Sequence, residues 1–572
     1  MGYKEEFDYW LNDDYFDQDT KNELLAIRND DAEVQDRFYK ELEFGTGGLR
    51  GVLGAGTNRM NIYTVRKATQ GLANYIKKQG TADMGVAISY DSRRMSPEFA
   101  DVAALNLAAN GIKAYVYDAL RPTPMLSFAV RELGCTAGIM ITASHNPPEY
   151  NGYKAYWADG AQMTSPRDTD VISEVKAVTS YNDVLTMDKD EAIAKGLYEI
   201  IASEMDDKYM AELKKQIIHP EIIKEVADDI KIVYTPFNGT GNVPVRRILD
   251  ELGFKNVYIV PEQEMPDGNF PTLEYPNPED PKAFTLALKL AKEVGADIVL
   301  ATDPDADRLG IYALDTKSGE YVPFTGNMSG MLIAEYLLRE RTNTNTMPEN
   351  PALVTTIVTT NMAKAITDDF GLKFIEVLTG FKYIGEQIKL FEETGANNYV
   401  FGLEESYGCL AGTHARDKDA VVAVMCLCEM ASWCKKQGIT VWDQMINLYE
   451  KYGYYKESQY AITMKGIDGA AQIAALMEKL RNDPPKAFGD LGVVQFRDYK
   501  TGVTIDADGT RGETGLPSSN VLYFELENDS WCCARPSGTE PKIKFYMGVK
   551  GTSLEDAAAK NEALTEAVKS FI

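Results

Sequence analysis

A chain of 572 residues is too long for one hydrophobic core; at about 150 residues per domain it divides into roughly three to four. Its 44% hydrophobic and 25% charged residues are those of an ordinary globular protein, and 45 Gly with 24 Pro exclude a collagen or a Pro/Gly linker protein. Lys+Arg number 59 against 86 Asp+Glu, a net charge of −27, which argues against nonspecific nucleic-acid binding and requires any phosphate site to gather its few cations locally.

The start, Met1 to Glu6, is polar, with no apolar signal core, and no apolar run approaches 18 residues. No membrane or nucleic-acid partner is expected. The seven cysteines form no CxxC pair. Cys426-x-Cys428 and Cys532-Cys533 lie in apolar runs and read as buried thiols of a cytoplasmic protein. Three histidines, His145, His219 and His414, exclude a His-rich metal site. Nothing in the sequence specifies an oligomeric state.

Residues 1–45 read as helical and charged, with a helix from Thr20 to Phe44. Strand and helix signals then alternate. A strand at Val86–Ser89 is followed by Asp91-Ser92-Arg93, a helix at Ser96–Asn110, and strands at Ala114–Tyr117 and Ala137–Ile141. The pattern restarts at Lys231, with a helix after Gly241 and strands at Val257–Val260 and Ile298–Ala301. It restarts again at Leu353–Val358, continuing through Asn361–Asp368 and Tyr399–Gly402. Such alternation predicts βαβ units with parallel strands, and three restarts predict three related α/β domains. Past residue 455, Val493–Phe496, Val521–Phe524 and Ile543–Tyr546 read as antiparallel strands with an exposed face, closed by a helix from Ser553 to Phe571. The expected fold is α/β: three related mixed α/β domains plus a C-terminal α+β domain around a central cleft.

Several segments carry chemistry. Thr142-Ala143-Ser144-His145-Asn146-Pro147-Pro148 ends a predicted strand, where open α/β sheets bind ligands. It is not a nucleophile elbow, because Thr142 and Asn146 stand where Gly is needed. Neighbours on an extended chain point opposite ways, which makes His145 a poor base for Ser144. A Ser that carries a phosphoryl group and a plain Ser/Asn-rich turn both remain open. Asp303-Pro304-Asp305-Ala306-Asp307-Arg308 follows another strand. Its three carboxylates, two residues apart, can converge on one hard cation, with Arg308 beside a phosphate. An EF-hand is excluded, since Arg308 and Leu314 replace the required Gly and Glu.

Arg535-Pro536-Ser537-Gly538-Thr539-Glu540-Pro541-Lys542 joins a guanidinium, hydroxyls and a Gly, the chemistry a dianionic phosphate needs; a plain hairpin loop is the alternative. Gly402-Leu403-Glu404-Glu405-Ser406-Tyr407-Gly408 can bond sugar hydroxyls or equally begin a capped helix. His414 to Asp419 forms a mixed-charge loop, and Phe44 to Gly51 a Gly-rich loop containing Arg50.

In this order the segments resemble the α-D-phosphohexomutase superfamily, specifically its phosphoglucomutase and phosphopentomutase-like branch. Phe270-Pro271-Thr272-Leu273-Glu274-Tyr275-Pro276-Asn277-Pro278 and Leu378-Thr379-Gly380-Phe381-Lys382 also match that branch. The resemblance covers nearly the whole chain. It implies four domains, at 1–205, 206–318, 319–455 and 456–572, each giving one loop to the cleft. It makes Ser144 a phosphoserine, with Lys154, Arg50, His145 and Arg308 in the catalytic group. Asp303, Asp305 and Asp307 would hold Mg²⁺ together with the Ser144 phosphate. Glu404, Ser406, Thr379, Gly380 and Lys418 would contact the sugar, and Arg535, Ser537, Gly538 and Thr539 the non-reacting phosphate. The implied reaction interconverts glucose 1-phosphate and glucose 6-phosphate through glucose 1,6-bisphosphate. Phosphomannomutase, phosphopentomutase and glucose-1,6-bisphosphate synthase are the alternatives within the superfamily. Tyr407 stands where the bifunctional mannose/glucose enzymes have Gly, which tilts the reading away from mannose. A Mg²⁺-dependent phosphatase and a non-catalytic phosphosugar binder are the rival classes; no Walker loop is present.

Overall fold

The computed structural model describes residues 2–45, 48–464, 469–537 and 542–571. Three sheets in succession repeat one strand order. In the first, Val86–Tyr90 lies between Ala114–Tyr117 and Ala137–Ile141, all parallel, and Tyr150–Trp157 runs antiparallel beside Ala137–Ile141. In the second, Lys231–Thr235 lies between Asn256–Ile259 and Ile298–Thr302, with Leu309–Asp315 antiparallel. In the third, Pro351–Thr356 lies between Lys373–Val377 and Asn398–Glu404, with Gly408–Ala411 antiparallel. The central strands are buried on both faces, as parallel strands covered by helices must be. The three restarts of the sequence are therefore three copies of one α/β unit.

Local chemistry sets the helix ends. Asn61 caps Ile62–Gln79 by accepting from Tyr63 and Thr64 N–H at 3.1 and 3.0 Å, and Gly80 ends that helix with φ 70°. Asp419 caps Ala420–Gln437, whose first thirteen residues are all buried in the core shared by the first three units. The loop preceding this cap carries Lys418 to Asp307 of the second unit and Glu404 of the third.

The N-terminal segment differs from expectation. Instead of one helix from Thr20 to Phe44 it forms Tyr3–Asn12, Gln18–Ile27 and Asp31–Phe38. Asp30 breaks the predicted helix because its Oδ1 accepts from Glu33 N–H at 3.1 Å and starts a new one. The three helices enclose an aromatic cluster of Phe7, Trp10, Phe16 and Phe38 with Tyr63.

The last unit is a largely antiparallel sheet running from Tyr454–Thr463 through Lys542–Gly551, Ser530–Pro536, Leu522–Leu526 and Leu491–Asp498 to two short strands. Of the three strands expected to have an exposed face, Val493–Phe496 has one, whereas Val521–Phe524 is buried and Ile543–Tyr546 nearly so. One face carries the helices Gly469–Asn482 and Leu554–Lys569. The other presents Tyr523, Trp531 and Tyr546 to Ile357, Val358 and Leu378 of the third unit. All seven cysteines are free and buried. Among the described residues no helix is long and apolar enough to cross a membrane.

Candidate active site

Three of the singled-out loops occupy one structural position: each joins the third strand of its unit to the antiparallel fourth. They are residues 142–149, 303–308 and 405–407. Each contains a non-glycine residue in the left-handed region, Ser144 at φ 52°, Ala306 at φ 47° and Tyr407 at φ 67°. That conformation costs an L-residue about 1–2 kcal/mol, so the surrounding structure, not local preference, holds each turn.

The Ser144 loop is held by groups that the sequence reading did not assign. Arg93, 1% exposed, donates from Nη2 to the carbonyls of Ser144 (2.6 Å) and Asn146, and from Nη1 to those of Pro147 (2.8 Å) and Tyr150 (3.0 Å). Thr142 Oγ1 accepts from Ser144 N–H at 2.8 Å and donates to Asp91 Oδ2 at 2.6 Å. The sequence signal was present, since Asp91-Ser92-Arg93 also follows an apolar strand, but nothing marked a carbonyl clamp.

The Ser144 and Asp loops meet directly. Ser144 Oγ donates to Asp303 Oδ2 at 2.9 Å, and Asp303 Oδ1 accepts from the N–H groups of Asp307 and Arg308, both at 3.1 Å. Asp303, Asp305 and Asp307 are buried, and one oxygen from each lies within 4.8 Å of the others. Asp305 Oδ1 and Asp307 Oδ1 are enclosed without a hydrogen-bond partner. Three buried carboxylates so close together, with two oxygens unpartnered, fit a hard cation.

Lys154 projects from the Tyr150–Trp157 strand. Its Nζ donates to Asp305 Oδ2 at 2.7 Å and lies 3.4 Å from Asp307 Oδ2. Thr123, missed in the sequence, donates to the same Asp305 oxygen at 2.7 Å. Lys418 Nζ reaches Asp307 Oδ2 (3.3 Å), Glu404 Oε1 (3.4 Å) and Asp417 Oδ1 (3.3 Å), so it joins the Asp303 and Glu404 loops. Burial disfavours each of these charges, and the lattice of opposite charges decides the outcome. Burial and its Asp305 and Asp307 neighbours raise Asp303 well above the carboxylate range. Against burial, Lys154 and Thr123 hold Asp305 low. Against burial and Asp305, Lys418 and Lys154 hold Asp307 low. Burial pulls Lys154 and Lys418 down, but the carboxylates hold both protonated.

His145 corrects an expectation. Because Ser144 has a positive φ, the two side chains do not diverge as on an extended strand, and His145 Nδ1 lies 3.3 Å from Ser144 Oγ. Burial, then the charges of Arg308 and Arg50, push its imidazole well below the usual range, so it is neutral at pH 7. Arg50 opens onto the cleft opposite Gly152, close enough to Asp305 and Asp307 for its charge to act on them. A side chain at position 152 would collide with the carbonyls of Thr142 and Leu49.

Glu404 ends its strand and leads into a turn, not a capped helix. Ser406 lies half-buried in that turn. Thr379 Oγ1 is enclosed and unpartnered; Gly380 (φ 118°) precedes Phe381, whose ring lies 5.8 Å from Lys418 Nζ. Arg535 is half-buried at the end of Ser530–Pro536, on the side of the last unit facing Glu405. Ser537 N–H donates to Lys542 O at 2.7 Å. Gly538 and Thr539, and Thr46 and Gly47 of the Gly-rich loop, lie outside the described residues.

Comparison with known proteins agrees with this arrangement. Residues 41–182, 207–316 and 325–452 match the alpha/beta/alpha domains I, II and III of the phosphoglucomutase/phosphomannomutase family. A phosphoglucomutase of Staphylococcus aureus (strain USA300) is 36% identical over 536 residues, 93% of this chain and 94% of that one. One of Staphylococcus haemolyticus is 36% identical over 523 residues, 91% and 92% of the two chains. The solved structure of pp63/parafusin, a phosphoglucomutase from Paramecium in an open form, shares the fold at 18% identity, with a TM-score of 0.67 and coverage of 93% and 96%. A phosphoglucomutase/phosphomannomutase family protein from Burkholderia thailandensis does so at 21% identity and a TM-score of 0.63, covering 92% and 97%. By the matched domains and by identity along almost its full length, the chain belongs to the phosphoglucomutase/phosphomannomutase family.

Proposed function

We propose that the chain interconverts glucose 1-phosphate and glucose 6-phosphate through a phosphorylated Ser144 and glucose 1,6-bisphosphate, acting as an intramolecular phosphotransferase. The observation that carries this reading is the 2.9 Å bond from Ser144 Oγ to Asp303 Oδ2, beside Asp305, Asp307 and Lys154. A hydroxyl set among three metal-type carboxylates is suited to carrying a phosphoryl group; a passive sugar-phosphate binder has no use for it. The phosphoglucomutase relatives support glucose as the sugar. The domain limits we assign are 1–205, 206–318, 319–455 and 456–572. Buried free thiols support a cytoplasmic setting.

In the first half-reaction the P–Oγ bond of phosphoserine 144 breaks, a bond forms to O6 of glucose 1-phosphate, and the O6 proton passes by way of a base in the cleft to Ser144 Oγ. In the second, after the bisphosphate turns end for end, Ser144 Oγ takes the C1 phosphoryl, the P–O1 bond breaks, and the Oγ proton passes to O1. Neutral His145, its Nδ1 3.3 Å from Ser144 Oγ, and protonated Lys154, bonded to Asp305, are the proton-carrying groups on the Ser144 side. Asp303, Asp305 and Asp307 would hold Mg²⁺, which would supply charge neutralisation for phosphoryl transfer at Ser144. Arg50 and Arg308 add positive charge for the transferring oxygens. Glu404, Ser406, Thr379, Gly380 and Lys418 orient the hydroxyls, and Arg535, Ser537, Gly538 and Thr539 grip the phosphate that is not reacting.

Rates on glucose 1-phosphate, mannose 1-phosphate and ribose 1-phosphate, measured side by side with free phosphate release, test the reading. Glucose 1-phosphate is expected to turn over fastest without phosphate release. Steady release of phosphate would instead identify a phosphatase.

A further inference from the structure

Glu279 belongs to none of the motif loops. It lies one residue beyond the Pro276-Asn277-Pro278 stretch of the second unit, and its Oε1 accepts from Arg308 Nη1 at 2.7 Å. The loop that carries it is pinned. Asn277 Oδ1 accepts from Glu279 N–H at 3.0 Å, and Asn277 O accepts from Asp280 N–H at 3.0 Å. Pro278 sits directly on Gly310, the second residue of the strand leaving the Asp loop; a Cβ there would come within 2.8 Å of the Pro278 ring. The Glu279 carboxylate is thus delivered to Arg308 by a rigid turn.

Arg308 is as tightly constrained at its other end. Its N–H is fixed to Asp303 Oδ1, and its Nε is enclosed without a hydrogen-bond partner, 3.8 Å from the equally unpartnered Asp307 Oδ1. Of the two N–H edges of this guanidinium, Glu279 takes the outer nitrogen. The inner edge, Nε with Nη2, is the pair of donors that can hold two oxygens of one phosphoryl group. The Glu279 charge also acts on Tyr407 of the third unit and Lys544 of the last. The Glu279 and Arg308 side chains are 39% and 15% exposed. An ion pair so near solvent adds little to folding stability, and what it fixes is direction.

We propose that Glu279 is a positioning residue for phosphoryl transfer: by holding Arg308 Nη1 from a pinned turn, it keeps the Nε–Nη2 edge aimed at the Asp loop, where the transferring phosphoryl sits. The inference rests on the mutase reading above.

The test measures kcat, KM and melting temperature for wild type, Glu279→Ala, Glu279→Gln, Arg308→Lys and the double variant Glu279→Ala/Arg308→Lys. Removing Glu279 is expected to lower kcat roughly 10- to 100-fold, the usual effect of losing a residue that orients a catalytic group. KM and melting temperature should change little. Glu279→Gln, the same size and able to accept one hydrogen bond, should fall between Ala and wild type; it also serves should the Ala variant fold poorly. In the Arg308→Lys background the loss of Glu279 should add nothing, because the fork it aims is gone. Wild-type kinetics in Glu279→Ala and Glu279→Gln would overturn the inference, as would a full, independent effect of Glu279→Ala in the Arg308→Lys background. A wild-type protein without mutase turnover would instead remove the reading beneath it.

Discussion

The two ends of the cleft are built differently. On the Ser144 side, the first three units are joined by short bonds between buried groups. Thr123 N–H donates to Asp305 O (2.9 Å), Leu309 N–H to Tyr407 O (3.0 Å) and Ala420 N–H to Ala306 O (3.2 Å). Tyr156 and Tyr209 donate across units to Asp417 (2.7 Å) and Asp419 (2.8 Å). On the Arg535 side, the last unit meets the third through an apolar face built on Tyr523, Trp531 and Tyr546. Among the described residues, polar ties there include Asn361 to Asp529 at 2.8 Å and Arg497 to Glu376 at 3.8 Å, and the half-buried Glu457 lies against Thr360 and Asn327 of the third unit. Directional bonds fix a geometry, whereas apolar contact tolerates sliding. The bonded network around Ser144 is thus fixed by the fold. On the proposed reading, the Arg535 guanidinium that would grip the non-reacting phosphate sits on a unit held to the third largely by apolar contact.

The comparison can be broken most severely on the Ser144 side. Asp305→Asn removes the carboxylate that holds Lys154, along with one metal-type oxygen. We expect turnover to fall about 10²–10³-fold, the scale of losing one transition-state charge stabiliser. EDTA should inactivate the wild type and Mg²⁺ restore it; full activity of EDTA-treated enzyme refutes the metal assignment.

Arg535→Ala tests the other side. If the guanidinium grips a desolvated phosphate, kcat/KM should drop by 2–4 kcal/mol, roughly 30- to 700-fold. Ser144 should still accept a phosphoryl group from glucose 1,6-bisphosphate, more slowly. Equal loss of both properties would show that the two ends are not separable.

Glu404 lies between the two ends. A mutase must bind its bisphosphate in two orientations, and the C3 and C4 hydroxyls stay near the middle of the flip. Glu404→Ala should slow both reaction directions by similar factors, roughly 10- to 150-fold for each charge-assisted bond lost. A fall in melting temperature with unchanged kcat/KM would make Glu404 a structural residue only.

The smallest effect concerns Glu405, which lies between Glu404 and Arg535. Burial and the adjacent Glu404 charge push its carboxyl up to about 7. The folded state thus holds this proton more tightly than the unfolded state does. The stabilisation is full below the ordinary carboxylate pKa and declines as pH rises through about 7. Glu405→Gln should therefore flatten the fall in melting temperature between about pH 4.5 and 7.5. An unchanged slope would place the titration elsewhere.

Much of this was legible in the sequence because strand signals and loop chemistry coincide. Apolar runs such as Ala137–Ile141 and Ile298–Thr302 are buried parallel strands, and the motifs follow them directly. What was hidden depends on backbone conformation and on long-range bonds. Nothing in Ser144-His145 announces a φ of 52°, and that angle brings the imidazole to Ser144 Oγ. Arg93 is one arginine after a strand until four carbonyls converge on it. Val521–Phe524 reads as a strand with a solvent face because the sequence does not say that the third unit covers it. The helix predicted from Thr20 to Phe44 failed at Asp30, where a side-chain cap outcompeted helix continuation.

The most direct test follows the phosphoryl group itself. The protein is loaded with glucose 1,6-bisphosphate, separated from free sugar, and its peptides are analysed by mass spectrometry before and after a single addition of glucose 1-phosphate. The account predicts one phosphoryl group on Ser144, lost within one turnover as glucose 1,6-bisphosphate appears in equal amount, and neither event in Ser144→Ala. Mutase turnover with Ser144 unmodified, or turnover that survives in Ser144→Ala, would contradict it.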